Sequence, residues 1–135
     1  MIMSDEIDKT MAKPPSEFRL IVAGGRGFND YKLLANKLIK ITSEDLKDYT
    51  VSIVSGMARG ADMMAYDFAI QHQVAIYEFP ANWDKFGKGA GYRRNAEMAD
   101  FSQGLLAFWD GKSRGTKHMI DAARSKKLLV RIVLY

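Results

Sequence analysis

The sequence contains no cysteine. That excludes a disulfide framework and any thiolate metal site. It has two histidines, His72 and His118, so few imidazoles are available as ligands or bases. No apolar run approaches the roughly 18 residues of a membrane span. Residues 1–17 lack the long apolar core of a secretory signal. A cytoplasmic chain with no membrane partner is the expectation. Two signatures of nucleotide enzymes are also missing. Gly24-Gly25-Arg26-Gly27 begins like a dinucleotide fingerprint, but the third glycine would fall on Asp30. No acidic residue ends the second apolar run to hold a ribose. A standard NAD site is not expected, nor is a P-loop, and no cofactor or metal is implied.

What is present is an ordinary globular balance, 47% apolar and 27% charged over 135 residues, enough for one core. Residues 1–17 are polar and contain Pro14-Pro15, so they read as a tail ahead of a single domain, 18–135. Apolar runs then alternate with amphipathic stretches. Strands are expected at 18–23, 50–55, 74–79, 105–109 and 128–134. Helices are expected after Asn29-Asp30, from Ala61, over 92–102 and from Thr116. In the first helix Tyr31, Leu34, Leu38 and Ile41 share one face, and in the second Ala61, Ala65, Phe68 and Ala69 do. This alternation predicts right-handed crossovers, a parallel five-stranded sheet of order 3-2-1-4-5 and a Rossmann-like three-layer α/β/α fold. Ligands of such sheets sit at the strand C-terminal edge, beside the switch in strand order.

Four segments should meet at that edge: 24–30, 55–62, 80–95 and 110–117. They hold nine of the 20 Lys and Arg but four of the 16 acids. Their net +5 exceeds the +4 of the whole chain. The ligand edge is therefore cationic, which points to an anionic partner.

The most specific segment is Ser55-Gly56-Met57-Ala58-Arg59-Gly60-Ala61-Asp62. Gly56 and Gly60 permit close backbone approach, and Arg59 offers a fork of donors suited to phosphate. Asp62 is either a helix cap or a catalytic carboxylate. Ser55 is a weak nucleophile candidate, because nothing orients a histidine base toward it. In the first segment, Gly25 and Arg26 either bind a ligand or serve a tight turn. The long connection 81–91 reads as a lid, with Trp83 stacking on a base or pinning the loop. Lys88, Arg94 and Asn95 are candidate clamps. In the fourth segment Gly111, Arg114, Gly115 and Thr116 form a second phosphate wall, and Asp110 is a second candidate acid. Met63 and Met64 are either core or, with Tyr66, a face for a second copy.

GGRGF, SGMARGAD, PANWDKFGKGAGYRRN and DGKSRGT, in that order over about residues 19–135, resemble the SLOG superfamily, most closely its YspA-type, cpYpsA-related branch. The resemblance implies a Rossmann-like fold, a nucleotide or nucleotide-derived ligand, pairing into homo-oligomers, and an origin in bacteria or their phages. Relatives include phosphoribohydrolases and a DNA-processing protein that binds single strands, so N-glycosidic hydrolysis and single-stranded nucleic-acid binding are the alternatives it implies. The phosphoribohydrolase pattern Pro-Gly-Gly-x-Gly-Thr-x-x-Glu places its glutamate on Met119 here. Methionine is neither acid nor base, which favours binding over turnover.

Overall fold

The computed structural model describes residues 16–135. Most of the expected tail, residues 1–15, lies outside them. The elements are β1 (Glu17–Gly24), α1 (Tyr31–Lys40), β2 (Thr50–Ser55), α2 (Ala61–Gln71), β3 (Ile76–Glu78), α3 (Trp83–Phe86), α4 (Ala90–Phe101), β4 (Gly104–Trp109), α5 (Arg114–Ser125) and β5 (Leu129–Leu134). All strand pairs are parallel, in the order β3-β2-β1-β4-β5. The predicted topology is therefore the observed one.

Alternation along the central strands divides the core between the two faces of the sheet. On β1, Phe18, Leu20 and Val22 pack with Leu34 and Leu38 of α1 and with Ala65 and Phe68 of α2. Ile21 and Ala23 face the other way, toward Met98 of α4 and Met119, Ile120 and Ala123 of α5. On β4, Leu106 and Phe108 join the first cluster, and Leu105 and Ala107 the second. Both faces are covered, which explains why these strands read as continuous apolar runs. Met64 packs half-buried against the first cluster. Met63 and Tyr66 are also half-buried.

β1 begins at Glu17, inside the stretch expected as tail. Its carboxylate accepts hydrogen bonds from Ser52 Oγ at 2.6 Å and Tyr77 Oη at 2.8 Å. The larger departure lies at 81–91, expected as an open loop. Asn82 Oδ1 accepts from the Lys85 N–H at 3.1 Å and starts the short helix α3. A 3₁₀ turn, Gly87–Gly89, leads directly into α4, which begins at Ala90 rather than Tyr92. Side-chain capping also moves the start of α5. Ser113, not Thr116, precedes its first turn and accepts from the Thr116 N–H.

A cationic cleft at the strand C-terminal edge

Because every strand is parallel, the connections after β1, β2, β3 and β4 leave from one edge. The order reverses at β1, between β2 and β4. A cleft of about 620 Å³ opens there. Its floor is Ala23, Met98 and Met119, and its rim carries Trp83, Tyr92 and Tyr135. Of the predicted site residues, the cleft gathers Gly25, Arg26, Asp62, Trp83, Lys88, Arg94, Asn95, Asp110, Gly115 and Thr116. Arg59 lines a smaller chamber beside it. Ser55, Gly56, Gly60, Gly111 and Arg114 line neither space.

The β2–α2 turn is built differently from the expected phosphate seat. Ser55 is fully buried, and its hydroxyl is used internally. It donates to the Asp62 carbonyl at 3.0 Å and accepts from the Met57 N–H at 3.1 Å. A nucleophile needs access, and Ser55 has none. Gly60 adopts φ +89°, and a Cβ there would lie 2.3 Å from the Gly25 carbonyl oxygen. The Ala61 N–H donates to that same carbonyl at 3.5 Å. Gly60 thus serves contact between two loops of the protein. Gly56 is equally confined, since a Cβ would lie 2.4 Å from Arg94 Nη1 and 2.8 Å from Asp62 Oδ2.

Asp62 is 5% exposed and lines the cleft. Its Oδ2 accepts from the Ala58 N–H at 3.3 Å, so it ties down the preceding loop. It does not cap the helix, whose N-cap is Gly60. Burial pushes its pKa up to about 6, against the opposing pull of Arg94, the Ala58 N–H, Arg26 and the Gly24 N–H. Asp110 behaves oppositely. Its exposed carboxylate accepts from the Ser113 and Lys112 N–H groups, both at 2.8 Å, and these bonds hold its pKa down. An acid held ionised in this way is poorly suited to donate a proton.

Arg94 bridges the walls. Its Nη1 donates to the Gly56 carbonyl at 2.5 Å and its Nε to Asn95 Oδ1 at 3.0 Å. Buried Asn95 then uses Nδ2 toward the Gly115 carbonyl at 3.3 Å and His118 Nδ1 at 3.2 Å. His118 stacks on Tyr92, 4.2 Å between centroids and 10° apart. One chain of contacts therefore joins the β2–α2 turn to the first turn of α5. Burial lowers the pKa of Arg94, and Asp62 opposes that shift.

Sequence reasoning missed Tyr92, Tyr135, Met98 and Ser113. Tyr135 Oη sits where a Cβ on Gly25 would be, 2.2 Å from it. Tyr92 and Ser113 lie inside the third and fourth motifs, whereas Met98 and Tyr135 lie in none and reach the cleft through the topology alone. The triplet Gly111-Lys112-Ser113 was also passed over, and it matches the end of a P-loop. The P-loop's first glycine would fall on Leu106, which lies buried inside β4, so that motif still fails. Among the described residues, no group of three or more His, Asp or Glu side chains is placed to hold a metal. None of the described helices is long and apolar enough to cross a membrane.

A doubly wound parallel sheet with a cationic cleft at its switch point defines a Rossmann-like α/β protein. The chain belongs to the YspA, cpYpsA-related SLOG family, whose model matches residues 18–86. It is 33% identical over 116 residues to the Gene 61 protein of Mycobacterium phage D29, a match covering 78% of this chain and 88% of that one. Its fold is similar to DNA processing protein A (DprA) from Streptococcus pneumoniae, with TM-score 0.65 and 19% identity over 85% of this chain. The chain spans 50% of that protein's length. It is also similar to DprA from Helicobacter pylori, a structure described for its single-stranded DNA binding mode. That match has TM-score 0.59 and 21% identity, covering 93% of this chain and 68% of that one.

Proposed function

We propose that the cleft binds a nucleotide or nucleotide-derived phosphorylated ligand. The observation that carries this is the meeting of unlike groups in one space: Lys88, Arg94 and the first turn of α5 beside an apolar floor and two exposed rings. A phosphate suits the first set. Gly115 and Thr116 lie at a helix N-terminus, where backbone dipoles favour an anion. A nucleobase suits the second, with Trp83 and Tyr92 at the rim, 47% and 48% exposed. The fit is to binding or sensing. Met119 occupies the glutamate position of the phosphoribohydrolases and is buried in the floor. The hydrolase alternative rests on Asp62, the acid of the cleft whose pKa is raised. Thermal shift against nucleoside mono-, di- and cyclic phosphates tests the binding reading. A rise in Tm with phosphorylated ligands and none with nucleosides is expected, and no shift at millimolar ligand sinks it. Release of free base from a nucleoside monophosphate would instead favour the hydrolase.

A second reading, single-stranded nucleic-acid binding, is favoured by the outer rim. Arg26 lies over Trp83 at 6.0 Å, and Phe86 is flanked by Arg93 at 4.1 Å and Lys85 at 5.2 Å. Cations alternating with accessible rings suit a stacked strand. Its affinity for an oligothymidylate should fall steeply with salt. A flat salt response removes this reading.

A further inference from the structure

Beside the cleft lies a chamber of about 340 Å³, lined by Arg26, Ala58, Arg59, Ala81, Trp83 and Arg94. Four of these, Arg26, Ala58, Trp83 and Arg94, also line the cleft, so the two spaces share a wall. Half of the chamber's lining is arginine, and no acid contributes to it. The like charges oppose one another, since Arg26 adds to the lowering of the Arg94 pKa that burial begins. Among the described residues, none of the three arginines forms an ion pair with a carboxylate. Asp62, which lines the cleft and not the chamber, offsets part of the charge of Arg94 and Arg26. Guanidinium groups gathered around one small space without an acid in its lining are stabilised by an anion that enters it.

The cleft has anion donors of its own, Lys88 and the first turn of α5. A ligand with one phosphoryl group satisfies those and leaves Arg59 unused. A second phosphoryl group, reaching past Trp83, engages it. We infer that the side chamber is a second phosphate subsite, and that the protein selects nucleoside 5′-diphosphates or their esters over monophosphates. This rests on the nucleotide reading of the cleft and adds the number of phosphates to it. Arg59 is assigned to this chamber alone, and Lys88 to the cleft alone.

Isothermal titration of AMP, ADP, GMP and GDP into the full chain and two variants tests the inference. Wild type is expected to bind each diphosphate on the order of tenfold more tightly than its monophosphate, as one added charge-assisted contact predicts. Arg59→Ala should lower the diphosphate to the affinity of the monophosphate, and Arg59→Lys should restore part of the difference. Lys88→Ala should weaken both ligands by a similar factor. Arg59 is exposed, so its replacement does not threaten folding. Equal affinity of mono- and diphosphate for wild type overturns the subsite while leaving the nucleotide reading in place. So does an Arg59→Ala variant that weakens both by one factor. If none of the four nucleotides binds wild type, both ideas fall together. Binding of an oligothymidylate alone has the same consequence.

Discussion

Two strand-to-helix turns face each other across the cleft, and they spend their polar groups differently. In the β2–α2 turn, Ser55, Gly56 and Asp62 are buried. The N–H groups of Met57, Ala58 and Ala61 are committed to Ser55 Oγ, Asp62 Oδ2 and the Gly25 carbonyl. In the β4–α5 turn, Asp110, Gly111, Arg114 and Gly115 are exposed. There Asp110 and Ser113 fix the backbone, and the N–H groups of Arg114 and Gly115 donate to no acceptor among the described residues. Similar glycine-rich spelling thus produces a framework on one side and a surface with free donors on the other. A motif shows where the chain turns; the partners of its N–H groups decide whether the turn meets a ligand.

The largest effect expected from this contrast is Gly60→Ala. A side chain at φ +89° is strained, and its Cβ would meet two carbonyl oxygens of the β1–α1 loop, at 2.3 and 2.8 Å. A loss of about 3–4 kcal/mol is expected from backbone strain and steric conflict together. Gly115→Ala, on the opposite turn, meets nothing within 4 Å and should stay within about 0.5 kcal/mol of wild type. Urea melts of the two variants provide the measurement. Equal losses would erase the distinction between the turns.

Next comes Asp62, whose folded pKa is raised from 3.8 to about 6. Between those values the folded chain binds more protons than the unfolded chain. Stability from this group is therefore complete below pH 3.8 and is lost as pH rises through about 6. The loss amounts to at most about 3 kcal/mol. Asp62→Asn should flatten this slope, while the lowered pKa values of Asp110 and Asp121 still act at lower pH. Stability measured from pH 4 to 7 for both proteins isolates the difference. Parallel curves would show that Asp62 is hydrated rather than buried.

These two residues also mark what a sequence can and cannot convey. The parallel sheet was legible because apolar runs alternate with helical stretches, and those of β1 and β4 are too continuous for a sheet with one wet face. The cationic edge was legible because charge adds up without knowledge of side-chain direction. The role of Gly60 was not, because its constraint is the carbonyl of Gly25, distant in the chain and specified by no motif. Nor was the placing of Tyr135, which reaches the cleft because β5 pairs with β4 and brings Leu134 beside Trp109. The short helix α3 was not legible because the three glycines that follow it outweighed a single cap, Asn82, on paper but not in the fold.

Arg94 joins the two turns, so its replacement tests whether the joint matters. A lysine in its place could not reproduce the paired bonds to the Gly56 carbonyl and Asn95 Oδ1. Arg94→Lys is expected to weaken nucleotide binding roughly 10- to 100-fold, the value of one or two charge-assisted bonds. Titration of a nucleoside diphosphate checks this. Unchanged affinity would mean that the guanidinium serves the scaffold alone.

The smallest effect concerns His118, and it follows from counting donors. A guanidinium only donates, so Asn95 must turn Oδ1 toward Arg94 and Nδ2 toward Gly115 and His118. His118 Nδ1 must then accept, which leaves the ring proton on Nε2. His118→Phe keeps a ring against Tyr92 but removes that acceptor, leaving Nδ2 with the Gly115 carbonyl alone. A cost of about 1 kcal/mol is expected for one lost internal bond. The ¹⁵N shifts of the imidazole provide the sharper check, because they separate the tautomers directly. An Nδ1–H tautomer would require Asn95 to turn over, and Arg94 would then lose the acceptor that aims it into the cleft.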